Sequence, residues 1–163
     1  MKINELNRKI SRACRNFPLC RNSKIVSGEG DPHAKIMLVG QNPGKEENIQ
    51  GRPFVGRSGK FLDMVLEKNN LRRKKLYITS VVKCKTPENR KPANTEIRFF
   101  MPFLTEQIKS IKPKIVVLMG EVAWKTPRIK GIRYIKTYHP AAAMRFPKIR
   151  KKFEKDFSSL SLS

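Results

Sequence analysis

Four short apolar runs limit this chain more than any other feature. "AKIMLVG" (34–40), "KLYITSVV" (75–82), "KIVVLMG" (114–120) and "IRYIKT" (132–137) have strand length and carry many β-branched residues. Segments with helical spacing separate them. Ile3, Leu6, Ile10 and Cys14 recur over residues 2–14. Phe61, Leu62, Val65 and Leu66 form one face of a helix that Ser58 can cap. A long helix is predicted from Asn94 through Ile97, Phe100, Leu104, Ile108 and Ile111. A short helical piece lies around Val122–Trp124, and a last helix begins near Pro147 with the basic run "KIRKKFEK". Strands alternating with helices predict an α/β protein, a three-layer αβα fold with a central, mainly parallel four-stranded sheet. At 163 residues the chain is expected to be one domain over 1–163.

In open parallel sheets, ligands sit outside the carboxyl ends of the strands. Three loops leave those ends: "GQNPG" (40–44), "KCKTPENR" (83–90) and "YHPAAAMR" (138–145). They are expected to converge. The first belongs to a glycine-rich corner, "LVGQNPGKEENIQGRPFVGRSGK" (38–60), which fits neither GxxxxGK[ST] nor GxGxxG and is therefore no standard nucleotide cradle.

Charge narrows the partner. Against 13 Asp+Glu the chain carries 36 Lys+Arg, a net charge of +23. Such a field favours polyanions, nucleic acid above all. No apolar run approaches the ~18 residues of a membrane span. "MKINELNRKI" has no signal-peptide apolar region. An intracellular protein, cytoplasmic or nucleoid-associated, is expected. Cys14, Cys20 and Cys84 are too few and too odd in number for a disulfide framework, which fits a reducing compartment.

"GQNPGKEENIQGRPFVGRSGKFL", "YITSVVKCKTPENRKP" and "YHPAAAMRFP", in this order, resemble the uracil-DNA glycosylase superfamily, most closely its thermostable family 4. The likeness runs from about Cys14 to Phe157. It implies an enzyme that excises uracil or a related deaminated base, flipped out of duplex DNA or taken from single-stranded DNA, by hydrolysing its N-glycosidic bond in base excision repair, acting as a monofunctional glycosylase and a monomer, with no membrane partner. The departing base becomes an anion while the sugar gains oxocarbenium character, so such a site needs a held water and hydrogen-bond donors. By this resemblance His139 donates to the leaving base and Phe54 stacks on the flipped base, with Gly40 in the base pocket. Gly44, Arg57, Ser58, Lys83 and Arg90 are expected at DNA. Met144 is the candidate wedge, and Arg145 meets a phosphate or the orphaned base. His33 lacks such a context and reads as structural.

Three departures from family 4 stand out. Its first loop is typically GEAPG, with the glutamate assigned to water. Here Gln41 and Asn42 take the second and third positions, as in the superfamily's GxNPG branches, so Asn42 becomes the candidate for holding water and Gln41 for pocket hydrogen bonds. The asparagine that reads the base edge is replaced by Ser80, which lacks the paired donor and acceptor of an amide. Finally, family 4 holds a 4Fe–4S cluster on four cysteines. Cys14 and Cys84 remain, but Phe17 stands at one ligand position and Phe100 or Met101 at another, with Cys20 as a nearby extra. The expectation is therefore no metal and no cofactor. The changed side chains keep two alternatives open: a hypoxanthine or mismatched-thymine glycosylase, and a catalytically weak protein that binds damaged DNA.

Overall fold

The computed structural model describes residues 1–160. Its sheet has five strands among the described residues, in the order β1-β3-β2-β4-β5. β2 (Ile36–Gly40), β3 (Tyr77–Ser80), β4 (Ile115–Met119) and β5 (Arg133–Thr137) are the four expected parallel strands. The fifth, β1 (Glu29–Gly30), pairs antiparallel with β3 and corrects the count of four. Two residues leave no periodicity to read. Gly30 belongs to this pairing because a Cβ there would lie 1.9 Å from the Leu76 carbonyl oxygen.

Alternation along the central strands divides the interior into two layers. Met37, Val39, Val116 and Leu118 face Leu6, Ile10, Ile97, Leu104 and Ile108 of α1 (Ile3–Cys14) and α4 (Asn94–Ile111). Ile36, Leu38, Ile78 and Val117 face Leu62, Val65, Phe153 and Phe157 of α3 (Arg57–Lys68) and α7 (Pro147–Ser158). A parallel sheet covered on both faces needs such continuously apolar strands. α5 (Glu121–Trp124) is the expected short piece. Two further short helices, α2 (Lys45–Gln50) and α6 (Pro140–Arg145), occupy segments read as loops, because neither is long enough to show a helical stripe. No described helix is long and apolar enough to cross a membrane.

Ser58 does not cap α3. The cap is Gly56, one residue before the helix starts at Arg57, and the Gly56 N–H is held by the Glu47 carboxylate. A negative charge at a helix N-terminus satisfies its unpaired amides and its dipole.

The cysteines also differ from expectation. Cys20 and Cys84 form a disulfide across 64 residues of sequence, tying the turn after α1 to the loop after β3. Cys14 is free and buried. Phe17 stacks on Phe99 with centroids 3.9 Å apart and meets Phe100 edge-on at 5.5 Å. Fully buried Phe100, rather than half-buried Met101, belongs to the same core layer as Cys14. With two thiols locked in a disulfide, Cys14 alone stays free, a donor set that does not fit a four-thiolate cluster.

Candidate active site

The three loops converge at the carboxyl ends of β2, β3 and β5 around a cleft of about 410 Å³. Gln41, Asn42, Gly44, Phe54, Ser58, Ser80 and His139 all line it. Residues as distant in sequence as Gln41 and His139 thus share one cavity.

Phe54 owes its place to two glycines and an arginine. Its φ is 48°, a left-handed conformation that costs energy for a bulky residue. A Cβ on Gly40 would lie 2.4 Å from the ring's Cζ, and one on Gly59 would lie 2.0 Å from the Phe54 carbonyl oxygen. The Arg73 guanidinium donates to the Phe54 carbonyl at 2.7 Å and to that of Pro53. Arg73 is itself fixed by Asp63 at 3.0 Å and Glu29 at 3.4 Å. The ring is 7% exposed, which leaves it accessible only from within the cleft.

His139 faces Phe54, with ring centroids 5.7 Å apart. It caps α6, its Nδ1 accepting the Ala141 N–H at 3.1 Å. Burial pulls its pKa down to about 4, against a smaller opposing effect of the Glu47 carboxylate. The ring is therefore neutral at physiological pH. With Nδ1 accepting, the single proton resides on Nε2, which becomes a donor. A neutral donor suits a base leaving as an anion.

Asn42 is held on both sides. Its Oδ1 accepts from Gln41 Nε2 at 3.1 Å, and its Nδ2 donates to the Pro43 carbonyl at 3.0 Å. A carbonyl oxygen has two lone pairs, so Oδ1 can still accept from a water. Ser80 ends β3 beside Gly40, 6% exposed.

One expected DNA contact has another position. Lys83 is fully buried. Its Nζ donates to Thr79 Oγ1, the Ser80 carbonyl and Gln107 Oε1 at 2.5–2.8 Å, and burial lowers its pKa to about 7. This corrects its assignment as a DNA contact: it fastens the end of β3 to α4 and cannot reach a phosphate. Its apolar neighbours Val81 and Val82 already marked an inward segment. Arg90 forms a two-pronged pair with Glu96 at 2.8 and 2.9 Å, anchoring the start of α4. Arg57, Met144 and Arg145 are exposed on the helices that follow two cleft loops.

Sequence reading missed several cleft residues, among them Lys45, Asn89 and Glu47. Asn89 enters from the "TPENR" turn with φ at 58°, next to Glu88 at 55°. Glu47, 9% exposed, binds two loops at once. Its Oε1 accepts the Gly44 N–H at 3.0 Å, and its Oε2 those of Val55 and Gly56 at 2.8 and 2.7 Å. The signal available was a glutamate three residues after Gly44, as in an N-terminal capping box.

Fold and cleft define a three-layer α/β protein with a narrow, aromatic-floored pocket at its strand ends. The model of the Uracil DNA glycosylase superfamily matches residues 27–160, and the chain belongs to that superfamily. It is 40% identical over 162 residues to the Type-4 uracil-DNA glycosylase of Sulfurisphaera tokodaii, covering 85% of this chain and 74% of that protein. It is 38% identical over 171 residues to the same-named protein of Saccharolobus solfataricus, with 90% and 79% covered. The Pyrobaculum aerophilum Type-4 protein is 35% identical over 182 residues, with 97% and 92% covered.

Proposed function

We propose that this protein is a monofunctional DNA glycosylase that flips uracil, or a related deaminated base, into the cleft and hydrolyses its N-glycosidic bond. The observation that carries this reading is the pairing of Phe54 with a neutral His139 across one cavity. The base stacks on Phe54. As its bond to the sugar breaks, the electrons move onto the base, and His139 Nε2–H stabilises the resulting anion. Asn42 Oδ1 holds a water that attacks the oxocarbenium carbon, and the water's proton leaves to solvent. Gln41 keeps that amide oriented. Ser58 supplies a hydroxyl contact to a flanking phosphate, with Arg57 and Arg145 adding charge and Met144 filling the vacated stack, while the Gly44 N–H stays with Glu47. The protein acts on DNA as a monomer in base excision repair.

Purified protein incubated with oligonucleotides containing uracil, hypoxanthine or mismatched thymine, followed by alkali cleavage, tests this reading. Strand breaks at uracil are expected, and no cleavage at any of the three would overturn it. Ser80 favours a second reading, a broader base preference. A hydroxyl cannot present the paired donor and acceptor of an amide, so wrong bases leave fewer groups unpaired. Ser80→Asn should then raise the uracil-to-competitor ratio of kcat/KM by roughly tenfold, the effect of about 1–1.5 kcal/mol from one hydrogen bond. Strict uracil specificity in the unmodified protein would end the second reading.

A further inference from the structure

The pole of the sheet opposite the cleft carries a row of cations that the proposed excision does not use. Each of the four parallel strands begins beside one: Lys75 before β3, Lys35 before β2, Lys114 before β4, and Arg133 as the first residue of β5. Register aligns them. Lys35 and Lys75 both stand two residues ahead of the paired Met37 and Tyr77, and Lys35 and Lys114 one residue ahead of the paired Ile36 and Ile115. The Lys35 carbonyl accepts the Lys114 N–H at 2.8 Å, and the Lys114 carbonyl accepts that of Arg133 at 3.0 Å. Strands lie about 4.8 Å apart, so the row spans about 14 Å. All four side chains are exposed, and none forms an ion pair among the described residues. Exposed Arg72 and Lys112 extend the row. The carboxylate on these connections, Asp31, is already held by the His33 N–H at 2.8 Å.

Adjacent like charges repel, and a polyanion relieves that repulsion by releasing its own counterions. Single-stranded nucleic acid is gripped by aromatic side chains as well as charge. None of the exposed large apolar residues on this pole is aromatic; exposed Tyr138 and Phe146 flank the cleft loop instead. The strands set the two poles about 16 Å apart, at about 3.3 Å per residue. Contact with one duplex at the cleft therefore leaves the row free. We propose that Lys75, Lys35, Lys114 and Arg133 form a second DNA contact that grips the phosphates of another duplex segment, so that one protein molecule bridges two duplexes. This goes beyond base excision and needs no base readout.

The test uses two uracil-free duplexes, one fixed to beads and one fluorescent. The unmodified protein should retain the fluorescent duplex on the beads. Lys35→Glu, Lys75→Glu, Lys114→Glu and Arg133→Glu combined should abolish retention while leaving uracil release from a short oligonucleotide within about twofold. A control set with the same change of charge, Lys60→Glu, Lys68→Glu, Lys151→Glu and Lys155→Glu on α3 and α7, should bridge normally. The corresponding four glutamine substitutions, gentler on folding, should lower the slope of log binding against log salt for the second duplex by about 3.6, at about 0.9 per lost phosphate contact. His139→Ala should still bridge, which separates this contact from the excision chemistry. Bridging that survives reversal of the row, or that the control set abolishes equally, would overturn the proposal.

Discussion

Gly40 and Phe54 compete for the same space: a β-carbon on residue 40 would lie 2.4 Å from the tip of the Phe54 ring. The floor of the cleft therefore exists only because strand β2 ends in a residue without a side chain. Gly40→Ala should push the ring into the cavity without unfolding the sheet. Base–aromatic stacking contributes about 1–3 kcal/mol per base, so single-turnover excision should fall roughly five- to 150-fold. Phe54→Ala should fall by a similar factor, and the double variant little further, since both remove one contact. Full activity in Gly40→Ala would refute this account of the floor.

His139 sets the acid limit of the reaction. Its proton sits on Nε2 as long as Nδ1 accepts the Ala141 N–H. Protonation would place a second hydrogen on Nδ1, facing that N–H, and turn the ring. Because burial holds the pKa near 4, excision should be insensitive to this group from about pH 8 to 5 and fall as pH approaches 4. The stability linkage has the same direction. The unfolded imidazole binds a proton near pH 6.5 and the folded one near 4, so this group's contribution is present above 6.5 and lost as pH falls through that window. Carbon-labelled histidine has only two resonances to follow, His33 and His139. A His139 titration near 6.5 would contradict the site geometry. Replacing His139 by alanine should slow base release by about 10²–10³-fold, the cost of one such donor.

Glu47 joins the water-holding loop to the aromatic floor. Its two oxygens accept three backbone N–H groups from Gly44, Val55 and Gly56. Glutamine can match only one side, because its amide nitrogen points hydrogens at donors on the other. Glu47→Gln should therefore cost about 1–3 kcal/mol of stability in urea unfolding. It should also lower kcat more than it raises KM, since the misplaced groups act on the bound base. An unchanged kcat would leave Glu47 with a purely structural role.

The Cys20–Cys84 bridge ties the turn after α1 to the foot of the second cleft loop. Cys84→Ala should lower stability by about 2–4 kcal/mol, chiefly by freeing a long loop in the unfolded chain. Reductant should destabilise the unmodified protein and leave the variant unaffected. The protein should be colourless. Stoichiometric iron and sulfide in anaerobically purified material would reverse the assignment.

Local pattern determined much of this protein. The apolar runs at 34–40, 75–82 and 114–120 are strands because residues buried on both faces must be continuously apolar, and that shows in a single segment; the run at 132–137 is a strand with exposed Arg133 and Lys136. The placement of Phe54 and His139 on loops after those strands, and of Ser80 at a strand end, was legible for the same reason. Only the tertiary structure decided what those loops require of each other. Lys83 and Glu47 look alike on paper, charged residues in glycine- or proline-rich turns. Yet one is buried beneath the sheet end by three acceptors, and the other is clamped between two loops by three donors. The Cys20–Cys84 bond, the two-residue strand β1 and the row of cations behind the sheet likewise depend on partners tens of residues away. Pairing across such distances is set by register and packing, and no local period encodes it.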